Sequence, residues 1–362
     1  MKIGIVGLPN VGKSTLFNAM TRSKGAMVAN YPFCTIEPNV GIVEVPDHRI
    51  AKLKETVKTD KVIPAIVEFV DIAGLVKGAS EGEGLGNQFL AHIRECDAVA
   101  QVIRAFEDNN IIHVHGNVDP KRDIEILETE LILADLQTLG KRLTKAASDA
   151  KSGDPKKKLY LELLQKIEKI LAGGGKIIEA TFTAEEKAEL ADLHLLTAKP
   201  ILYIANIHEN EAATVKIEEL KQKLGLSAEK KVIPISAKIE EELGSLSLEE
   251  AGEFLRELGL KESGLNALIR AAYETLGLIT YFTAGPMEVH AWTVHKGDAA
   301  PKAAGVIHTD FEKGFIRAEV LNWEDMVKYG GEAGAREKGL LRTEGRDYIV
   351  RDGDVMHFLF AT

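Results

Sequence analysis

The sequence predicts an α/β fold in three parts: a mainly parallel sheet flanked by helices, a helical hairpin inserted into it, and a small α+β domain at the end. Three observations carry this. Short apolar runs at 3–6, 66–70, 98–103, 200–205 and 232–235 alternate with helix-period stretches, as strands buried on both faces of a parallel sheet do. Strand-like runs vanish between about 124 and 196, where helix formers dominate. Short strand-like runs return after about 279, separated by turn pairs.

The elements follow in order. The run 3–6 leads into Gly7-Leu8-Pro9-Asn10-Val11-Gly12-Lys13-Ser14, after which Leu16, Phe17 and Met20 keep helical spacing. In the middle, Leu127, Leu131, Ala134, Leu136, Leu139 and Leu143 keep a rough three-to-four spacing, and a second apolar-periodic stretch spans 159–171. Ser152-Gly153-Asp154-Pro155 supplies the turn between them, which makes an antiparallel hairpin. Near the end, 291–294, 315–320, 348–350 and 355–360 read as strands, with Lys313-Gly314 and Arg351-Asp352-Gly353-Asp354 as turns. The predicted division is therefore 1–123 with 197–278 for the sheet domain, 124–196 for the hairpin and 279–362 for the last domain.

The 362 residues give room for two or three domains, and 45% hydrophobic with 28% charged residues is an ordinary globular balance. A net charge of −10 excludes a chain that binds nucleic acid by bulk charge alone. The hairpin differs: residues 139–176 hold ten Lys/Arg against four Asp/Glu, a local excess of +6. Two readings stand there, a solvated helical face and a basic arm that meets RNA phosphates. The cysteines are Cys34 and Cys96, which points to a reducing compartment without a disulfide framework. The chain enters Lys2-Ile3-Gly4-Ile5-Val6 at once, so no signal peptide is expected, and no apolar run reaches the roughly 20 residues of a membrane-spanning helix. A cytoplasmic protein is expected.

The chemistry begins with residues 7–14, which fit G-x-x-x-x-G-K-[ST] between a strand and a helix. The glycines let backbone N–H groups curl around phosphate oxygens, and the helix dipole favours the anion. Asn10, Val11, Gly12, Lys13, Ser14 and Thr15 are thus candidate nucleotide contacts. Lys13 is expected on the β- and γ-phosphates and Ser14 on Mg²⁺. Asp71-Ile72-Ala73-Gly74 closes the run 66–70, where the carboxylate reaches Mg²⁺ through water and Gly74 faces the γ-phosphate. Thr35, between these motifs, has the position of a switch threonine on Mg²⁺. The glycine-rich stretch 77–87 reads as a switch segment, the bland alternative being a passive loop.

Asn206-Ile207-His208-Glu209 and Ser236-Ala237-Lys238 each follow a strand, in the order of the base-reading motifs of GTPases. The first is altered. GTPases carry Asn-Lys-x-Asp, and the Asp accepts hydrogen bonds from two donors on guanine. Here Glu209 displaces the carboxylate by one methylene and Ile207 replaces the lysine, while the Asn206 amide can still pair with N6–H and N7 of adenine. Losing a two-donor match costs guanine more than adenine, so ATP is expected over GTP. Leu75 stands where Ras-like enzymes use Gln to orient water, so intrinsic hydrolysis is expected to be slow. His92, His113 and His115 are candidates to replace the glutamine, and a K⁺ ion near Asn10 is a second route.

Together these residues resemble the Obg-like ATPase (YchF) family. The likeness rests on residues 7–15, on 30–39 (Asn30-Tyr31-Pro32-Phe33-Cys34-Thr35-Ile36-Glu37-Pro38-Asn39), on 71–86, on Thr280-Tyr281-Phe282-Thr283-Ala284-Gly285, on 307–318 and on 347–354. It spans nearly the whole chain. It implies a Ras-like P-loop domain, a coiled-coil hairpin insertion and a C-terminal TGS domain of β-grasp type. It further implies ATP with Mg²⁺ as the ligand, a catalytic histidine at His113, and a ribosome or its RNA as partner through the hairpin and the TGS domain. A monomeric, nucleotide-dependent switch is the favoured reading. A GTP-dependent assembly factor and a small-molecule kinase remain as alternatives. Cys34, beside Thr35, reads either as an oxidation sensor or as a buried inert thiol.

Overall fold

The computed structural model describes residues 1–22, 39–72, 85–108, 111, 113–114 and 116–361. The chain divides into two compact units, one of Met1–Gly41 with Glu68–Leu268 and one of Ile42–Val67 with Ile269–Thr362.

The first seven strands in chain order are β1 (Lys2–Val6), β2 (Val40–Glu44), β3 (Val62–Ile63), β4 (Ile66–Asp71), β5 (Ala98–Arg104), β6 (Ile201–Asn206) and β7 (Val232–Ile235). The sheet of the first unit runs β4-β1-β5-β6-β7, with β2 beyond β4, and the pairs β1–β4, β1–β5, β5–β6 and β6–β7 are all parallel. All seven residues of β5 are buried, Gln101 and Arg104 among them, which is why its sequence is mostly apolar and does not alternate. Every strand expected before the C-terminal domain is present, within one residue at each end.

The hairpin is built from Pro120–Asp149 and Pro155–Ala172. Each helix has Pro at its first position and an Asp cap: Asp119 accepts from the N–H of Arg122, and Asp154 from that of Lys156. Leu139, Leu163, Leu164, Ile167 and Leu171 form the core between them, together with Ile177 and Phe182 from the segment that follows. The base of the long helix is fastened to the sheet. Asp135, 1% exposed, accepts from the N–H groups of Leu196 and Thr197 at 2.8 Å each and from the Thr197 hydroxyl at 2.7 Å. Glu128 accepts from the Tyr203 hydroxyl of β6 at 2.9 Å.

In the second unit β8 (Leu278–Ala284), β9 (Val289–His295), β10 (Phe315–Asn322), β11 (Arg342–Glu344) and β12 (Asp354–Phe360) join β3 in the order β11-β10-β12-β8-β9-β3. The sheet is mixed: β12 pairs β8 in parallel, while β8–β9 and β10–β12 are antiparallel. The short helix Ala300–Ile307 lays Ala300, Ala303 and Ala304 on a core of Tyr281, Val320 and Phe358. This is the expected α+β arrangement, with β8 and β11 as strands beyond those expected and two further differences. Residues 348–350 form no strand and make one bridge, Ala299 to Ile349. Residues 42–67, assigned from sequence to the P-loop domain, cluster with the C-terminal elements: β3 pairs β9, and Arg49 makes ion pairs with both Asp47 and Asp352. The β3–β9 pairing and the Arg49–Asp352 pair join residues more than two hundred positions apart, which no local pattern reveals.

Candidate nucleotide site

The phosphate half is local. Between β1 and the helix Lys13–Arg22 the loop places Gly7 at φ +153°, Asn10 at +62° and Gly12 at +100°. Two of these demand glycine. A Cβ on Gly7 would sit 2.4 Å from the Val102 carbonyl oxygen, and one on Gly12 would sit 2.4 Å from Nδ2 of Asn206. Asn10 tolerates the left-handed region as asparagines do. Lys13 is 8% exposed, and its Nζ donates to the carbonyls of Gly7 and Leu8 at 2.8 Å each. Burial pulls its ammonium down to about 8, against the opposite pull of Asp71. Burial likewise raises the carboxyl of Asp71, which the Lys13 charge offsets. A carboxylate at the end of β4 thus faces the lysine, as the two motifs require. Ser14, at the helix start, is exposed. No group of three His, Cys, Asp or Glu gathers among the described residues. Ser14 and Asp71 supply a hydroxyl and a carboxylate, oxygen donors of the kind that Mg²⁺ takes.

The base half is assembled from distant segments. A cleft of about 380 Å³ is walled by Asn10, Gly12 and Thr15 from the loop, Phe106 and Ile111 after β5, 206–209 after β6, and Ser236, Ala237 and Lys238 after β7. Asn206 joins them. Its Nδ2 donates to the Val11 carbonyl at 2.9 Å, and its Oδ1 accepts from the Ala237 N–H at 3.1 Å. One N–H and one lone pair of that amide remain for a base. The residue read from sequence as a base contact is first of all a buried brace between two loops. Ser236 caps the helix Ala237–Leu243, accepting from Ile239. Ile207 is 3% exposed and packs with Ile103, Leu220 and Leu224, so the core takes most of its side chain. Glu209 does not stand alone: both its oxygens meet Lys238 Nζ, at 2.9 and 2.6 Å.

His113 is 4% exposed, with Nε2 at 2.9 Å from Oδ2 of Asp123 in the first turn of the long hairpin helix. Its ring is thus anchored to that helix. His92 is exposed on the helix Leu85–Glu95. Thr35, Cys34, Gly74, Leu75, His115 and most of 77–87 lie outside the described residues. Cys96 is buried, and burial pushes its thiol up to about 11, the mark of an inert structural cysteine.

Two residues escaped the sequence reading. Lys238 stands in the sequence only as the end of Ser236-Ala237-Lys238. Arg104, fully buried at the end of β5, left one signal, a charge closing an otherwise apolar run.

On the hairpin, the ten basic residues of 139–176 are all exposed except Lys176, which pairs with Glu128 and Glu179. No described helix is long and apolar enough to cross a membrane.

Family models match two parts of the chain. Residues 2–137 match one described as a 50S ribosome-binding GTPase, and residues 278–361 match the YchF-GTPase_C model, described as a protein of unknown function (DUF933). The chain is 55% identical to the ribosome-binding ATPase YchF of Bacillus subtilis, over 99% of this chain and 98% of that protein. It is 53% identical to the protein of the same name from Escherichia coli O157:H7, over 99% of each. Among solved structures, that of the Schizosaccharomyces pombe YchF GTPase matches with a TM-score of 0.89 and 40% identity, covering 99% of this chain and 97% of that one. A GTP-binding protein from Pyrococcus horikoshii, at 22% identity and a TM-score of 0.61, shares the fold.

Proposed function

This chain belongs to the YchF family, and on that footing we propose that it is an ATPase that binds Mg·ATP in the cleft headed by residues 7–14, hydrolyses it slowly to ADP and phosphate, and acts as a nucleotide-dependent switch on the ribosome. The observation that carries the nucleotide choice is the base half. Glu209 is one methylene longer than the guanine-reading aspartate, and its carboxylate is already paired with Lys238. A guanine would have to break that pair to present its two donors. An adenine, with one exocyclic amine, needs only the remaining capacity of Asn206.

Lys13 leaves the loop carbonyls for the β- and γ-phosphates, and the N–H groups of 10–15 cradle them. Ser14 and Thr35 would hold Mg²⁺, with Asp71 reaching it through water. The ion, when bound, neutralises charge on the β- and γ-phosphates. Asn10 is the side chain assigned to K⁺. His113 is the residue assigned to the hydrolytic water, and reaching it means leaving Asp123. The exposed basic residues of the arm 124–196, with the C-terminal TGS domain, are the surface for ribosomal RNA. The protein works as a cytoplasmic monomer.

A GTP-dependent reading also has support, since the model matching residues 2–137 and the fission yeast structure carry GTPase names. Turnover of ATP and GTP with and without purified ribosomes separates the readings. ATP turnover stimulated by ribosomes is expected. GTP turnover alone, or phosphate passed to a small acceptor, would overturn the proposal.

A further inference from the structure

Arg104 is 1% exposed and ends β5 in register with Asn206 of β6. Its guanidinium reaches three main-chain carbonyls in the segment that follows. Nε donates to Phe106 at 3.1 Å, Nη2 to Asp108 at 3.0 Å and Nη1 to Ile111 at 2.9 Å. Its Cζ lies 4.9 Å from the centre of the Phe106 ring. A residue needed only to fill the core would be apolar, because burying a guanidinium carries a desolvation penalty. What the arginine supplies instead is a rigid fork whose separate donors hold three points of one segment at once, which a lysine ammonium cannot do.

The three residues so held are those that wall the cleft: Phe106, Asp108 and Ile111 all line it. Two residues after Ile111 the chain reaches His113, within about 7 Å of backbone reach. His113 is then fixed from its other side by Asp123. The segment between β5 and the long hairpin helix is thereby tied at both ends, by Arg104 and by Asp123.

We infer that Arg104 is a positioning residue for hydrolysis: through the carbonyls of Phe106, Asp108 and Ile111 it sets both the wall of the nucleotide cleft and the approach of His113. This rests on the reading of the chain as an ATPase that uses His113. Arg104 touches neither the nucleotide nor the reacting atoms, so its removal acts on turnover more than on affinity.

The test uses the full chain carrying Arg104→Met, Arg104→Lys, His113→Ala and the Arg104→Met/His113→Ala pair. Thermal unfolding, ATP affinity, single-turnover hydrolysis and amide exchange of 105–114 are read for each. Arg104→Met is expected to melt cooperatively, bind ATP within about fivefold of the parent and hydrolyse it about tenfold or more slowly, since a misplacement near 1 Å costs up to about a hundredfold. Exchange should rise in 105–114 and not in β1. Arg104→Lys should recover little of the rate, and the paired variant should be no slower than the slower single one. Parent turnover in Arg104→Met, or losses in the pair that multiply, would overturn the inference. Should Arg104→Met fail to fold, Arg104→Lys, which keeps charge and bulk, decides by the same split between rate and affinity; full recovery in it counts against the three-point fork. His113→Ala at the parent rate would remove the histidine from the reaction while leaving the single-variant result on Arg104 to stand or fall alone.

Discussion

The phosphate half of the cleft comes from one stretch of eight residues, Gly7 to Ser14, whereas the base half needs side chains from 106–111, 206–209 and 236–241 brought together by the sheet. In the first, backbone conformation does the work, with Gly7 and Gly12 in the left-handed region and N–H groups as ligands. In the second, side chains do it, through Asn206, Arg104 and the Glu209–Lys238 pair. The two meet at Asn206, whose amide donates to the Val11 carbonyl and stands against Gly12, where there is no space for a methyl group. A nucleotide pocket can thus hold its phosphate-binding half constant while its base-reading half changes.

The largest effect breaks the phosphate half. Lys13→Ala removes the charge aimed at the transferred phosphoryl group, and single-turnover hydrolysis is expected to fall about 10²–10³-fold. Next comes the join. Asn206→Ala leaves the Val11 carbonyl and the Ala237 N–H buried without their partner, at about 1–3 kcal/mol each. Urea unfolding should show a loss of about 2–4 kcal/mol, with ATP affinity reduced as well. Gly12→Ala should reproduce the loss of affinity, because its methyl group would displace the same amide.

The base half is sharpened by Glu209→Asp. Shortening the side chain separates it from Lys238 and restores the reach of a guanine acceptor. The ratio of GTP to ATP affinity should rise by about tenfold, a difference near 1.4 kcal/mol, in competition binding. A ratio that does not move would show that Glu209 is not the discriminating group.

The smallest effect is one of pH. The Lys13 ammonium is pulled from 10.5 to about 8 in the folded chain. Between those values the unfolded chain holds a proton that the folded chain has released, so stability rises with pH across that window. ATP favours the ammonium, so binding takes up a proton there and affinity falls as pH climbs above about 8. Titration calorimetry at pH 7 and 9 should show that fall in the parent and not in Lys13→Gln.

How legible each half was follows from the same contrast. Residues 7–14 could be read because strand, loop and helix are contiguous and the conformational demand is written as glycines. The strands that frame the site were equally plain, since burial on both faces makes each a short apolar run. The hairpin announced itself by period and by its Gly153-Asp154-Pro155 break. Much else depends on what the fold brings near. Asn206 could be matched to a base-reading motif, yet its bonds to Val11 and Ala237 span 195 and 31 residues. The ion pair of Glu209 with Lys238 spans 29. Residues 42–67 belong with the second unit through β3 and Arg49, and β3 has only two residues to signal it. The strand β8 was quoted as a motif but not read as a strand, because Thr280, Tyr281, Phe282 and Thr283 mix buried and half-buried positions without clean alternation.

The account turns on the altered base half, so the most direct measurement is equilibrium binding of ATP and GTP to the purified chain with Mg²⁺. ATP binding at least about tenfold tighter is the result the Asn206–Glu209–Lys238 arrangement predicts. GTP binding as tight as ATP, or tighter, would contradict it and return this cleft to the guanine-reading class.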